Sequence, residues 1–385
     1  MLLFNHQIDG DAIMKSVLFF IESLGRGGAE RIFATFIENT TRKYDVFTET
    51  DGEVYTDIIK ANSNHRCMVK KTDSSAKSIF NKLKIKTSLL ASPEFVRKNF
   101  IKGNYDVEAA FCEGYSTKII GNSGRKNCKK IAWVHTDMVK NPWSEKVFGS
   151  AEEEKKCYEN FDAIVCVAET MKESFVQKYG MAEKVFVLYN PIDFESIAEK
   201  GKEKADFDFG EGMRFVLAGS FVKVKGYDRF VNACERLRRD GKKFSVLIMG
   251  DGDEKENIKK LIAEKKLGGT IQILGFQTNP YKYIARSDVF VCASYAEGYS
   301  TAVSEAVALN VPVITTECSG MREIFGENEC GIICENSEDG LYNAMKTVLE
   351  NPSLLEKFST EEAKRAKDFS LEKRVKAIED FIESV

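Results

Sequence analysis

Residues 288–306 read Asp288-Val289-Phe290-Val291-Cys292-Ala293-Ser294-Tyr295-Ala296-Glu297-Gly298-Tyr299-Ser300-Thr301-Ala302-Val303-Ser304-Glu305-Ala306. The first six form a short, β-branched apolar run that predicts a strand, and Ser300 to Leu309 suits a helix. A strand, a glycine-bearing loop and a helix in that order are the repeating unit of a parallel sheet with helical crossovers. Gly298 lets the backbone come close to a ligand, and Ser300 or Thr301 is the candidate N-cap. The first-turn N–H groups beyond the cap offer an anion site suited to a diphosphate. Glu305 shares a helical face with Thr301 and Ala302, and helical side chains lean toward the N-terminus, so it points back at the opening where Glu297 sits. Its helix is otherwise apolar or small, so the carboxylate is expected to be buried and to need donors, which sugar or ribose hydroxyls would supply. The plainer alternative makes Glu297 a solvated loop residue and Glu305 a structural carboxylate bonded to nearby backbone.

Outward from this unit, strand-like runs alternate with helical patterns twice over. The first set comprises Ser16–Ile21, Tyr44–Thr48, Asp106–Phe111, Lys130–His135 and Asp162–Val167, with helices expected at Ala29–Glu38 and Thr170–Lys178. The second comprises Arg214–Ala218, Phe244–Met249, Ile271–Leu274, Val289–Ala293 and Val311–Thr315. Between them Asn190-Pro191-Ile192-Asp193 makes a turn, and a charged stretch with glycines at 201, 210 and 212 follows. The expected organisation is therefore α/β. Residues 14–194 form one Rossmann-like doubly wound domain, 195–212 a linker, 213–369 a second such domain, and 370–385 a closing helix. In that helix Val375, Ile378, Phe381 and Ile382 lie at helical spacing. Two facing domains of this kind place the carboxyl ends of their strands on a shared interdomain cleft, where ligands of such sheets bind.

Composition bounds the reading. The 385 residues have room for two ordinary domains, and a net charge of −3 gives no global reason to expect nucleic acid. Residues 66–102 differ locally, with ten basic residues against Asp73 and Glu94. Apolar residues such as Phe80, Leu83, Leu89, Leu90, Phe95 and Phe100 interleave with the lysines. A basic amphipathic helix on an anionic membrane surface has this pattern, and so does an ordinary surface helix. Ten scattered cysteines without a CxxC pair, and three distant histidines, suggest free thiols and no metal. There is no basic n-region before an apolar core and no run of roughly 18 apolar residues, so the expectation is a cytoplasmic protein, neither exported nor inserted. Met14-Lys15-Ser16 immediately precedes the first strand, so residues 1–13 read as an upstream start or a disordered leader.

Further motifs lie at strand ends. Leu24-Gly25-Arg26-Gly27-Gly28-Ala29-Glu30 opens the first helix, and Gly27 and Gly28 permit close approach to an anion, although such turns often serve tight packing alone. The turn lacks GxGxxG spacing and the GxxxxGK[ST] of a P-loop. Ala218-Gly219-Ser220-Phe221-Val222-Lys223-Val224-Lys225-Gly226 is the equivalent turn of the second domain, where Lys223 or Lys225 neutralises phosphate unless both are merely solvated. His135 ends its strand and is a candidate for bonding a sugar hydroxyl or assisting proton transfer. Asp251-Gly252-Asp253 is discounted as a metal site, because aspartates before a charged helix serve as caps.

Together these segments resemble the retaining glycosyltransferases of family 4, which have the GT-B fold. The segments are Gly27-Gly28-Ala29-Glu30, Val134-His135-Thr136-Asp137, Val187-Leu188-Tyr189-Asn190-Pro191-Ile192-Asp193, Lys225-Gly226-Tyr227-Asp228, Gly250-Asp251-Gly252, Leu274-Gly275-Phe276 and the Glu297/Glu305 pair. The resemblance implies that Glu297 bonds donor-sugar hydroxyls, Glu305 the ribose hydroxyls, and backbone N–H groups from Gly298 through Tyr299 and Ser300 to Thr301 the diphosphate. Lys225 would neutralise the diphosphate, the backbone near Phe276 would meet the base, His135 would contact the donor sugar, and Gly27 and Gly28 would approach donor phosphate and acceptor. It also implies that the closing helix crosses back to the first domain, that no metal or cofactor is needed, and that transfer is by front-face displacement. One departure is Ser220, where the family usually has arginine after the glycine of the Gly219 turn; Lys223 is the expected replacement. The implied activity moves a hexose or N-acetylhexosamine from a nucleotide sugar, with UDP favoured, to a glycan or lipid-linked acceptor in bacterial surface polysaccharide synthesis, at the inner face of the membrane. The alternatives are a UDP-sugar epimerase on the same fold and a non-catalytic nucleotide-sugar binding protein.

Overall fold

A computed structural model describes residues 14–72, 75–207 and 209–385; the leader read at 1–13 lies outside them. Seven parallel strands form the first sheet: β1 (Val17–Phe20), β2 (Asp45–Thr50), β3 (Asn64–Val69), β4 (Val107–Ala110), β5 (Lys129–Val134), β6 (Ala163–Cys166) and β7 (Val185–Val187), in the order β3-β2-β1-β4-β5-β6-β7. The second holds β8 (Met213–Ala218), β9 (Phe244–Met249), β10 (Ile271–Gly275), β11 (Val289–Cys292), β12 (Val313–Thr316) and β13 (Gly331–Cys334), in the order β10-β9-β8-β11-β12-β13. All pairings are parallel. Each order reverses beside its first strand, between β1 and β4 and between β8 and β11, and these switch points are where such sheets open a crevice at their carboxyl ends.

The central strands are mainly apolar on both faces, as burial under helices on each side demands, and the one buried carboxylate of β4, Glu108, is paired with Arg97. β1, β4, β6 and β11 are buried throughout. In the first domain Phe19 packs edge-on against Phe33, Phe36 and Tyr44, while Phe111 stacks on Trp133 at 5.5 Å. These large side chains fix the strand ends that carry the cleft residues.

The domains are in contact. Ser319 donates to the buried Asp137 at 2.6 Å, and Glu323 accepts from the backbone of Glu169 and Thr170 and from Tyr189. Glu323 thereby caps the helix Glu169–Tyr179 of the opposite domain. The stretch 195–212, read as a linker, is more than that: it begins in the helix Phe194–Gly201, which buries Ile197 beside the helices Tyr281–Ile284 and Thr301–Ala308. The closing helix Leu371–Ser384 crosses back onto the first domain. Its Phe381 meets Phe186 at 5.0 Å and its Glu379 accepts from Thr41 N at 3.0 Å.

Candidate active site

A cavity of about 210 Å³ lies between the two sheets. Gly27, Gly28 and His135 line it from the first domain, and Gly219, Ser220, Lys225, Phe276, Glu297, Gly298, Tyr299, Ser300, Thr301 and Glu305 from the second. Lys223 is the exception. The 3₁₀ turn Lys223–Lys225 sends Lys225 inward and leaves Lys223 exposed on a separate outer groove beside Val222 and Tyr295. The expected compensation of Ser220 by Lys223 is therefore corrected, since its ammonium lies outside the cleft. The cationic side chains that do line the cavity are Lys225, Arg26 and Arg31.

The helix Thr301–Ala308 is capped by Ser300, whose hydroxyl accepts from Val303 N at 3.4 Å. Facing it is the helix Gly28–Asn39, whose N-cap Gly27 brings no side-chain oxygen. Two helix N-termini thus converge on one cavity, which favours a ligand of negative charge. Their approach is close: a Cβ on Gly28 would stand 2.8 Å from Thr301 Oγ1, and one on Gly298 would stand 2.0 Å from the carbonyl oxygen of His135. Contact with the backbone of the opposite domain requires glycine at 298, whereas at 28 only the Thr301 hydroxyl would have to turn aside.

The two carboxylates are built alike. Glu297 Oε1 accepts from Lys225 Nζ at 2.6 Å and from Ser294 Oγ at 2.5 Å. Glu305, only 3% exposed, takes Arg31 and Tyr281 on its Oε1, Tyr281 at 3.2 Å. Among the described residues nothing donates to either Oε2, so each of these two cavity-lining glutamates has one oxygen fixed and the other open to a ligand. Burial alone would depress the Lys225 ammonium, but the Glu297 carboxylate beside it outweighs this and raises its pKa, so the lysine stays charged.

His135 stands just beyond β5, on the first-domain wall of the cavity. Burial pushes its imidazole down to about 4, so the ring is neutral near pH 7. Its Nε2 lies 2.9 Å from the carbonyl oxygen of Phe111, which only accepts, so Nε2 carries the hydrogen and Nδ1 keeps a lone pair. That arrangement suits accepting a hydroxyl proton in a hydrogen bond. Behind it Glu113 accepts from His135 N at 2.6 Å and from Thr136 N, fixing the turn; burial pushes this carboxyl up to about 7.

Several contributors were not singled out in the sequence. Arg26 crosses the cleft to lie 4.1 Å above the Phe276 ring and 3.6 Å from Asp251. Asp251 also pairs with Lys255 at 3.3 Å, and no group of three or more His, Cys, Asp or Glu residues suited to a metal occurs among the described residues. Outside the cavity lining, in the first domain, Glu22 and Glu30 are both pushed up chiefly by burial, and Glu22 accepts from Ser116 N at 2.9 Å.

Two doubly wound parallel sheets that face one another across a glycine-lined cavity define a GT-B protein. Residues 26–196 match the family described as Glycosyltransferase Family 4, and residues 200–365 that described as Glycosyl transferases group 1. The N-acetylgalactosamine-N,N'-diacetylbacillosaminyl-diphospho-undecaprenol 4-alpha-N-acetylgalactosaminyltransferase of Campylobacter jejuni is 30% identical over 92% of this chain and 96% of its own length. The lipopolysaccharide core biosynthesis glycosyltransferase LpsE of Rhizobium meliloti is 25% identical over 51% of this chain and 56% of its own. Among solved structures, Anabaena HepE in complex with UDP and glucose superposes with a TM-score of 0.74 at 15% identity, covering 96% of this chain and 100% of that one. Sucrose-phosphate synthase from Thermosynechococcus elongatus gives 0.72 at 16% identity, covering 96% and 98%. The chain belongs to glycosyltransferase family 4 and is a glycosyltransferase.

Proposed function

We propose that the protein transfers a hexose or N-acetylhexosamine, with retention and without a metal or cofactor, from a nucleotide sugar to a glycan or lipid-linked acceptor in bacterial surface polysaccharide synthesis. The observation that carries this reading is the pair of glutamates, each with one oxygen tied and one open, on either side of a helix N-terminus beside Lys225. Glu297 bonds hydroxyls of the donor sugar, Glu305 those of the ribose, and the diphosphate rests on the N–H groups between them. His135 Nδ1 accepts from a further sugar hydroxyl. The leaving diphosphate, held by Lys225 and the helix start, takes the acceptor proton in a front-face displacement. UDP is the favoured nucleotide, in keeping with the UDP-bound neighbour of the same fold. A lipid-linked acceptor is in keeping with the name of the Campylobacter relative.

The test is a panel of nucleotide sugars assayed for UDP or GDP release with and without lipid-linked acceptors, in the presence of EDTA. Acceptor-dependent release with a retained anomeric product is expected. An isomeric nucleotide sugar as the product would establish an epimerase instead, and a rate abolished by EDTA and restored by magnesium would overturn metal independence.

The reading includes a peripheral place at the inner face of the cell membrane. No helix among the described residues is long and apolar enough to cross a membrane. Residues 66–102 supply the docking surface. On the helices Ser75–Leu90 and Pro93–Asn99, the side chains of Ile79, Phe80, Leu83, Leu89, Leu90 and Phe95 are exposed, Phe80 by 66% and Leu90 by 82%. Not every basic residue there serves that surface: Arg97 is buried against Glu108 at 2.6 Å, and Lys84 donates to Met68 O at 2.8 Å.

A further inference from the structure

Arg31 lies one turn into the helix Gly28–Asn39 of the first domain, yet its guanidinium ends in the second. Its Nε donates to Tyr55 Oη at 3.0 Å, which anchors the side chain at home. Its Nη1 reaches Tyr281 Oη at 3.3 Å and Glu305 Oε1, and Tyr281 Oη donates to that same oxygen at 3.2 Å. The neighbouring Glu305 carboxylate raises the Arg31 pKa well above its usual value. A carboxylate in a buried helix has several rotamers open to it, and only fixed donors on one oxygen aim the other. Two donors fix Oε1 here, one from each domain, and Oε2 is left for the cavity.

We infer that Arg31 is a positioning residue for nucleotide recognition: by holding Glu305 Oε1 from the opposite domain it aims Oε2 at the ribose hydroxyls, so the nucleoside end of the site is complete only when the domains are closed. This rests on the reading of Glu305 as the ribose-binding residue. Its consequence is specific. Arg31 acts on the discrimination of nucleotides by their 2′ and 3′ hydroxyls, beyond any part it plays in holding the domains together.

The experiment measures the affinity of the full chain for UDP (GDP if the panel selects it) and for the 2′,3′-dideoxy nucleotide by calorimetry, in wild type, Arg31→Met, Arg31→Lys and Tyr281→Phe. Wild type is expected to prefer the ribonucleotide by about tenfold or more, the size of one to two hydrogen bonds to a charged group. Arg31→Met is expected to collapse that ratio to about one and to raise the donor KM more than it lowers kcat. Arg31→Lys, which keeps the charge without the planar fork, and Tyr281→Phe should each lose part of the ratio. If Arg31→Met, with an unchanged circular dichroism spectrum, weakens both nucleotides equally and keeps the ratio, the residue is only a domain strut and the inference is overturned. Should Arg31→Met fail to fold, an undiminished ratio in both other variants overturns it. A wild type that binds the two nucleotides alike removes the ribose reading of Glu305, and the inference with it.

Discussion

Lys225 and Glu297 form a pair whose members depend on one another. The lysine side chain is 29% exposed and the glutamate 10%, so removal of one leaves the other's charge poorly hydrated, at a cost of about 1–3 kcal/mol in stability. In the proposed mechanism catalysis asks for more than neutrality, because the ammonium would also meet the charge that develops on the leaving diphosphate. Lys225→Ala is therefore expected to lose about 10²–10³-fold in kcat/KM while shifting the melting temperature by several degrees. The double variant Lys225→Ala/Glu297→Gln should recover much of the lost melting temperature and none of the turnover. Recovery of both would show that the pair is structural. Little of this partnership could be read from spacing alone, since the two residues lie in different loops of one domain. The spacing did show that Glu297 and Glu305 share a helix mouth, because that geometry is local. Arg31 and Arg26 were out of reach for the opposite reason: their partners are in the other domain, and no periodicity in the chain encodes a contact between domains.

The glycine turns act through backbone proximity. A Cβ on Gly298 would stand 2.0 Å from His135 O and 2.7 Å from Met171 Sδ, a clash that only separation of the domains relieves. Gly298→Ala should therefore keep each domain folded but hold the cleft open. The expectation is a loss of about 10²-fold or more in kcat/KM with a larger radius of gyration in solution scattering, and normal turnover in this variant would refute it. The turn after β5 carries a pH dependence. Glu113 has its pKa pushed by burial up to about 7 from an ordinary 4.5, so the folded state favours the protonated form. Stability from this group is complete below about pH 4.5 and is lost as pH rises through about 7, an amount on the order of 3 kcal/mol. Glu113→Gln, which still accepts the two N–H groups, should gain on wild type in urea midpoint between pH 5 and pH 8. A difference that stays constant across that range counts against the assignment. The elements themselves were largely legible, since the central strands are mainly apolar runs between turn residues. The strands that escaped notice, β3, β7 and β13, are edges. β3 reads Asn64-His65-Arg66-Cys67-Met68-Val69, β7 has three residues, and β13 is only half-buried throughout. An edge strand is covered on fewer sides and so carries a weaker apolar signature.

At the level of the whole chain, the exposed apolar face and the cleft occupy connected parts of the first domain. The helix Ser75–Leu90 is held to the body by Tyr115, whose hydroxyl donates to Ser88 O at 3.1 Å and whose ring packs 6.2 Å from Phe20. Tyr115 opens the helix Tyr115–Gly121 that follows β4, at the carboxyl end of the sheet where the crevice opens. A bilayer that receives Phe80, Leu83 and Leu90 would thus lie on the first-domain side of the cleft, where the proposed lipid-linked acceptor would approach without leaving the membrane. Each large side chain that leaves water contributes about 1.5–3 kcal/mol, and each lysine near an anionic surface about 1 kcal/mol. The two terms respond differently to salt, which screens only the second. The chain is expected to float with vesicles of phosphatidylglycerol and phosphatidylethanolamine at low salt and to be released at high salt. Vesicles without anionic lipid should carry little of it. Leu83→Glu/Leu90→Glu should abolish flotation while leaving turnover of a water-soluble acceptor intact, because neither residue lines the cleft. Flotation that ignores salt and lipid charge, or survives the double substitution, would place the acceptor's membrane elsewhere on the molecule.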